Sequence, residues 1–278
     1  MMHCLVGSEM CIRDSLCSEI TLPTNEERTA VCCLSSVNLE HFDDWSEDKN
    51  FIQDLITMLD NVLEHFIDNA IDMNNLGGYN ANYERFKKHI KEGKEGFTKA
   101  AYSAYRERSI GLGAMGFHSY LQAHNIPFEG IYATGFNHKA FKHIKSSALK
   151  ASKEIAKDRG EAPDISGSTL RNAHLLAVAP NASSSIICGG TSPSIEPIRA
   201  NVFTHKTLSG SYKVKNKNLE KLINKKLDEP AKRKKLWQQI SDNRGSIQNR
   251  RLFTKEEKEL YKTADEINQI WVVEHAYK

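Results

Sequence analysis

Two groups of residues in this chain could carry chemistry. The first is Cys17-Ser18-Glu19, a thiol and a carboxylate two positions apart. On an extended segment such residues project to one face, so a sulfur and a base would meet the same substrate. Cys32 and Cys33 come fifteen and sixteen residues after Cys17, and a second thiol on a neighbouring strand could join them. The plainer alternative is that all three cysteines are small buried hydrophobes. Zinc is a weaker option, because there is no Cys-x-x-Cys pair and the spacings fit no common template.

The second group is Pro180-Asn181-Ala182-Ser183-Ser184-Ser185, directly after the apolar run LLAVAP. Small hydroxyl residues and free N–H groups at a strand-to-helix turn suit a phosphate, and the helix dipole adds a favourable field. The alternative is an ordinary serine N-cap. Nearby, Pro193 and Pro197 stiffen Thr191–Pro197, for which a structural role is the default. From Lys213 to Lys235 there are ten Lys or Arg residues, interleaved with Leu219, Leu222 and Ile223. That pattern reads as a solvated helix face rather than a nucleic-acid surface.

The elements that must position these residues emerge from periodicity. Residues 16–39 read as two apolar segments joined by a polar turn at Pro23, Thr24 and Asn25. Residues 47–73 predict a helix with Ser46 as N-cap and an apolar face of Phe51, Leu55, Met58, Leu59, Val62, Phe66 and Ile67. Residues 74–107 read as a loop and then an exposed, charged helix. The glycines of GLGAMGF (111–117) lack the context of a dinucleotide fingerprint and are better explained by close backbone packing. A helix over 137–159 should stop at Gly160, and 175–180 should form a short buried strand. Residues 217–243 are helical in pattern with a break at Pro230, and 255–277 form a further helical stretch.

Bulk properties exclude several classes. With 278 residues, 40% apolar and 26% charged, the composition is that of an ordinary globular chain with a sizeable core. A formal charge of +3 argues nothing about nucleic acid. No apolar run approaches the ~20 residues needed to span a bilayer, and the N-terminus lacks the pattern of a secretory signal. Five of the six cysteines fall in the first 33 residues, a clustering that suggests redox or metal chemistry in an intracellular protein rather than a disulfide scaffold. Residues 4–15, CLVGSEMCIRDS, resemble a translated sequencing adapter. The expected organisation is therefore a non-native leader over 1–15 and one partial catalytic domain over 16–278.

In order along the chain, LCSEITLPT, AVCCLSSVNL, RERSIGLGAMGFHSYL, LLAVAPNASSSIICGGTSPSIEP and YKTADEINQIWVVEHA resemble the large subunit of class I ribonucleotide reductase. The resemblance implies an α/β fold: part of a ten-stranded barrel of two five-stranded parallel halves set antiparallel, with a central loop that presents a radical cysteine. It also implies residue roles. Cys17 would become the thiyl radical that takes the ribose 3′ hydrogen, and Glu19 would accept the 3′-hydroxyl proton. Cys32 would supply one of the two reducing thiols, with Cys33 as the alternative. Leu16 and Ser18 would flank the radical cysteine at the substrate, and Pro180, Asn181, Ala182, Ser183 and Ser184 would bind the substrate diphosphate.

The implied activity is reduction of ribonucleoside diphosphates to 2′-deoxyribonucleoside diphosphates, for DNA precursor synthesis. Implied partners are the diphosphate substrate, a small subunit that generates the radical at a metal site, a second large subunit, and thioredoxin or glutaredoxin. No membrane or direct DNA binding and a cytoplasmic location are implied. No cofactor or metal is expected in this chain, and ATP and dNTP effectors would bind regions outside it. The partner of Cys32, the tyrosine relay and the C-terminal cysteines would also lie outside it, so the segment is expected to be inactive alone. Ser15 stands where the family has Asn, and it falls within the suspected leader. Two alternatives are an adenosylcobalamin-dependent relative, which shares Cys-x-Glu, and a Cys-rich zinc or nucleic-acid module.

Overall fold

The computed structural model describes residues 20–31, 33–90, 97–208 and 210–277. Four strands and eleven α-helices are assigned among them. The strands are β1 (Cys33–Asn38), β2 (Ile110–Met115), β3 (Val202–Thr207) and β4 (Gly210–Lys215). The first helices are α1 (Phe42–Trp45), α2 (Phe51–Ala70), α3 (Tyr83–Lys88), α4 (Thr98–Glu107), α5 (Phe117–Ala123) and α6 (Ile131–Arg159). The rest are α7 (Ser184–Ile187), α8 (Lys217–Lys226), α9 (Pro230–Asp242), α10 (Lys255–Leu260) and α11 (Gln269–Tyr277). β1 and β2 form one two-stranded sheet; β3 and β4 form another, antiparallel, with Val202 opposite Lys215 and Thr207 opposite Gly210. The α/β expectation is met, and the described residues contain no closed barrel.

The chain divides into two compact units. Among the described residues the first comprises 20–36, Trp45–Gly113 and Lys142–Ala179; the second comprises Val37–Asp44, Ala114–Phe141 and 180–277. In the first unit α2 buries Ile52, Ile56, Leu59, Leu63, Ile67 and Ala70, a clean three- and four-residue stripe. This corrects the expected face: Met58 and Val62 are 46% and 48% exposed. The stripe is disguised by Asp60, which sits inside it and is fully buried. The helix also begins later than expected, with Asn50 rather than Ser46 at the N-cap. Residues 46–50 form a turn in which Asp48 Oδ1 accepts the Asn50 N–H at 2.9 Å, and the Trp45 ring stacks on Phe51 at 5.1 Å.

Asp60 survives burial because cations surround it. Arg159 Nη1 lies 2.8 Å and Arg171 Nε 3.2 Å from its carboxylate, and Asn172 Nδ2 donates to it at 3.3 Å. One turn on, Glu64 pairs with Arg171 Nη2 at 2.9 Å and with Arg108. A buried carboxylate is tolerated only with such partners.

α4 is another correction. The charged pattern of 74–107 predicts an exposed helix, yet Ala101, Tyr102, Ala104, Tyr105 and Glu107 are buried. Tyr102 and Tyr105 pack on Phe86 of α3, with ring centroids 5.2 and 5.8 Å apart; the lysines that suggest a solvated helix lie mainly before it. Residues 175–180 form a single parallel bridge, Leu112 with Leu176, rather than a strand. The Ala179 N–H turns back to the Ala177 carbonyl at 3.2 Å and ends the extended run. Helix α6 starts at Ile131, six residues before the expected point, because exposed Ile131 and Tyr132 carry no amphipathic signal. It ends as expected, with Gly160 at φ 81°.

The glycines of β2 are there for close approach. A Cβ on Gly113 would lie 2.2 Å from the Ala177 carbonyl oxygen, and one on Gly111 would lie 2.7 Å from Ala177 Cβ. Gly113→Ala should therefore cost about 1–3 kcal/mol, the range for overpacking a rigid site. Gly135 in α6 is exposed with nothing near its missing Cβ, so Gly135→Ala should stabilise by about 0.5–1 kcal/mol. Urea midpoints of the two variants check this; equal midpoints would refute it.

In the second unit the core gathers Val202, Leu219, Ile223, Trp237, Ile240, Ile247, Phe253 and Leu260. Pro230 breaks 217–243 as expected and occupies the first turn of α9, where its missing N–H costs nothing. The expected helix over 255–277 is two helices. Between them Thr263 N–H and Oγ1 bond Glu266, and the Ala264 N–H donates to the Ile198 carbonyl at 2.9 Å. Those tertiary bonds replace helical ones.

Candidate active site

Leu16, Cys17, Ser18, Glu19 and Cys32 lie outside the described residues. The segment just past Glu19 is firmly held: Ile20 and Leu22 are buried in a cluster with Ala177. The polar turn after them is an Asn-centred turn, as its composition predicts. Asn25 Oδ1 accepts the N–H groups of Glu27 and Arg28 at 2.8 and 3.0 Å. Arg28 then reaches Asp164 with both terminal nitrogens, and Arg106 Nε lies 2.7 Å from the same carboxylate. Beside them Glu107 accepts from Ser103 at 3.0 Å and from Ser109 at 3.2 Å. Burial pushes the Glu107 carboxyl up to about 7, against the pull of Ser103 and Arg28.

Cys33 opens β1 and is half-buried, and burial raises its thiol above the ordinary range. On the same strand Leu34 and Ser36 face the β2 glycines: a Cβ on Gly111 would meet Leu34 Cδ2 at 2.4 Å, and one on Gly113 would meet Ser36 Oγ at 3.2 Å. By strand alternation Cys33 belongs to the opposite face, with Ser35 and with Val37, which is 2% exposed.

The serine turn is described throughout. Pro180, Ala182, Ser183 and Ser184 are exposed and Asn181 is half-buried. Asn181 adopts φ 50°, a left-handed conformation that Asn tolerates, and its side-chain Nδ2 donates to the Ala114 carbonyl at 3.2 Å. Ser183 holds the N-cap position of α7 yet makes no capping bond. The Ser185 N–H returns to the Asn181 carbonyl at 3.0 Å, and Ile186 and Ile187 bond the Ser183 carbonyl. Among the described residues, the N–H groups of Ala182, Ser183 and Ser184 meet no backbone carbonyl. Three successive N–H groups and two hydroxyls thus stand at an exposed turn, which is a layout that can hold phosphate oxygens.

A rigid frame in the same unit supports that turn. Ser119 and Ser192 exchange two bonds, each hydroxyl accepting the other residue's N–H at 3.1 and 2.8 Å. The Gly116 N–H donates to the Ser192 carbonyl at 2.7 Å. Gly116 has φ 83°, and a Cβ there would meet Asn38 Oδ1 at 2.3 Å. Lys217 Nζ lies 2.6 Å from the Glu40 carboxylate and 3.3 Å from the Gly189 carbonyl. Burial pushes His118 down to about 3, so the neutral ring accepts the Ile198 N–H at Nδ1, 3.0 Å away. Sequence reasoning singles out Thr191–Pro197 as structural but misses Ser119, Lys217 and His118. Their only signal is membership of conspicuous segments, because each acts across dozens of residues.

The described residues hold no cluster of three His, Cys, Asp or Glu side chains fit for a metal ion, and no helix among them is long and apolar enough to cross a membrane. The family description "Ribonucleotide reductase, barrel domain" matches residues 8–170 and 163–278. The chain is 43% identical over 261 residues to the ribonucleoside-diphosphate reductase large subunit of Invertebrate iridescent virus 3, covering 94% of this chain and 38% of that protein. It is 41% identical over 262 residues to the large subunit of Invertebrate iridescent virus 6, covering 94% of this chain and 25% of that one. Among solved structures, the Actinobacillus ureae class Id ribonucleotide reductase alpha subunit is similar with a TM-score of 0.78 and 36% identity, covering 96% of this chain and 45% of the other. These matches do not favour a zinc or nucleic-acid module. The chain spans less than half the length of these relatives and, matched along nearly all of its own length, belongs to the ribonucleotide reductase barrel-domain family.

Proposed function

We propose that this chain provides the radical-cysteine loop and the diphosphate-binding turn of a ribonucleoside-diphosphate reductase large subunit. The observation that carries this reading is the family match over residues 8–170 and 163–278. In the proposed reaction the Cys17 thiyl takes the 3′ hydrogen and leaves a carbon radical. Glu19 takes the 3′-hydroxyl proton while a reducing thiol protonates the 2′ hydroxyl, which the radical then expels as water. Cys32 and a thiol from outside this chain then give two electrons and the hydrogen that replaces the 2′ hydroxyl, closing to a disulfide; Glu19 gives its proton back to the 3′ oxygen, and Cys17 returns the hydrogen to the 3′ carbon and is again a thiyl. Cys33, grouped by strand alternation with buried Val37, is the weaker candidate for the reducing thiol.

The diphosphate contributes binding energy far from the reacting carbon, which the site can use for orientation. Ala182, Ser183 and Ser184 donate to its oxygens, with Asn181 shaping the turn. The radical comes from a metal-containing small subunit, and thioredoxin or glutaredoxin re-reduces the disulfide. A paired large subunit and a cytoplasmic setting belong to the same reading.

Ser183→Ala and Ser184→Ala test the turn in a full-length large subunit carrying this segment. Each should raise KM about tenfold or more with kcat nearly unchanged, since one charge-assisted hydrogen bond is worth roughly 1.5–3 kcal/mol. Steady-state kinetics with CDP measures it. Unchanged KM in both variants would remove the turn from the substrate site.

A further inference from the structure

The second unit carries a basic groove that the proposed reaction does not use. From Lys213 to Lys235 ten cationic residues stand against three acidic ones, Glu220, Asp228 and Glu229. β4, α8 and α9 fold this stretch around a cavity of about 470 Å³. Lys213 and Lys215 line it from β4, and Arg233 and Lys234 from α9. Its floor is Trp237, 7% exposed.

The cations are not all neutralised by their surroundings. Lys215 pairs with Glu220 at 2.8 Å and sits over the Trp237 ring at 5.2 Å. Among the described residues Lys213 Nζ makes no ion pair and bonds the neutral Gln238 side chain at 3.3 Å. Among the described residues Arg233 and Lys234 make no ion pair. Four cations and one carboxylate therefore converge on one concave wall, where a low-dielectric floor focuses their field.

We propose that this groove binds a phosphate-rich small anion of the pyrophosphate or triphosphate class through Lys213, Lys215, Arg233 and Lys234. The volume is that of a small-molecule site, and four cations on two elements exceed what one phosphate group can engage. The guanidinium of Arg233 matches phosphate geometry. Because Lys215 already covers the indole face, a nucleobase has no ring to stack on. Recognition therefore rests on the polyphosphate, whether free or as the tail of a nucleoside triphosphate.

Calorimetric titration of the 278-residue chain with tripolyphosphate tests this, in a Ser183→Ala/Ser184→Ala background so that the serine turn does not contribute. The expected result is one saturable site, with ATP and tripolyphosphate within about threefold of each other and adenosine not binding. Arg233→Glu/Lys234→Glu should weaken binding about 30-fold or more, as the loss of two charge-assisted contacts requires. Lys213→Glu, on a different element, should also weaken it, which separates the effect from a folding fault in α9. The same parent-minus-variant difference should appear in a full-length large subunit carrying the segment. Absence of saturable binding would overturn the proposal, as would binding that survives charge reversal, ATP far tighter than tripolyphosphate, or a single-stranded oligonucleotide preferred over both.

Discussion

Cys17→Ser in a full-length large subunit carrying this segment should abolish deoxyribonucleotide formation while leaving substrate binding intact. The expected loss in turnover is about 10⁴-fold or more, the scale seen when the group that performs the covalent step is deleted. A thiol S–H bond exchanges hydrogen with carbon reversibly, whereas a serine O–H bond is too strong to be broken and remade in that cycle. The variant keeps nearly the same volume, so packing around Ile20 and Leu22, buried against Ala177, is preserved. The serine turn is untouched, so CDP should bind within about threefold of the parent, the spread expected when no contact to the diphosphate is lost. Product formation by high-pressure liquid chromatography and binding by calorimetry read the two quantities separately. Turnover retained in the variant would take Cys17 out of the radical role.

The largest expected effect on stability is at Asp60. Its carboxylate is fully buried and holds Arg159, Arg171 and Asn172. Asp60→Ala takes the shared carboxylate away from Arg159, Arg171 and Arg108, whose Nη1 lies 3.8 Å from it, and leaves Glu64 as the anion paired with Arg171 and Arg108. Removing one partner from a buried ionic group costs about 3–5 kcal/mol. Glu154→Ala is the control, since Glu154 meets Lys150 at 3.9 Å on the exposed side of α6; such pairs are worth less than about 0.5 kcal/mol. Urea unfolding of both variants measures the contrast. A loss below about 1 kcal/mol for Asp60→Ala would show that the arginines re-pair freely, against the hub role assigned to it.

The same aspartate marks the limit of reading structure from sequence. The amphipathic period of α2 is visible, but its direction is not. Asp60 looks like a solvent-facing residue until Arg159 and Arg171, about a hundred residues away, are brought to it. α4 is misjudged for a related reason: the lysines before it suggest exposure, and only the packing of Tyr102 and Tyr105 on Phe86 buries it.

Local stereochemistry is where the sequence speaks for itself. Pro230 ends one helix and begins the next because it lacks an N–H. Gly160 stops α6 because it accepts φ 81° at no cost. Asn25 builds its turn from its own side chain, and family membership is legible because five motif-bearing segments keep their order. Tertiary structure alone decided which face of α2 is buried, that 175–180 keeps one bridge, that 255–277 splits, and that Ser119, Ser192 and Lys217 brace the serine turn. Each of those outcomes is set by partners distant in sequence, and no periodicity or propensity within a short window encodes who those partners are.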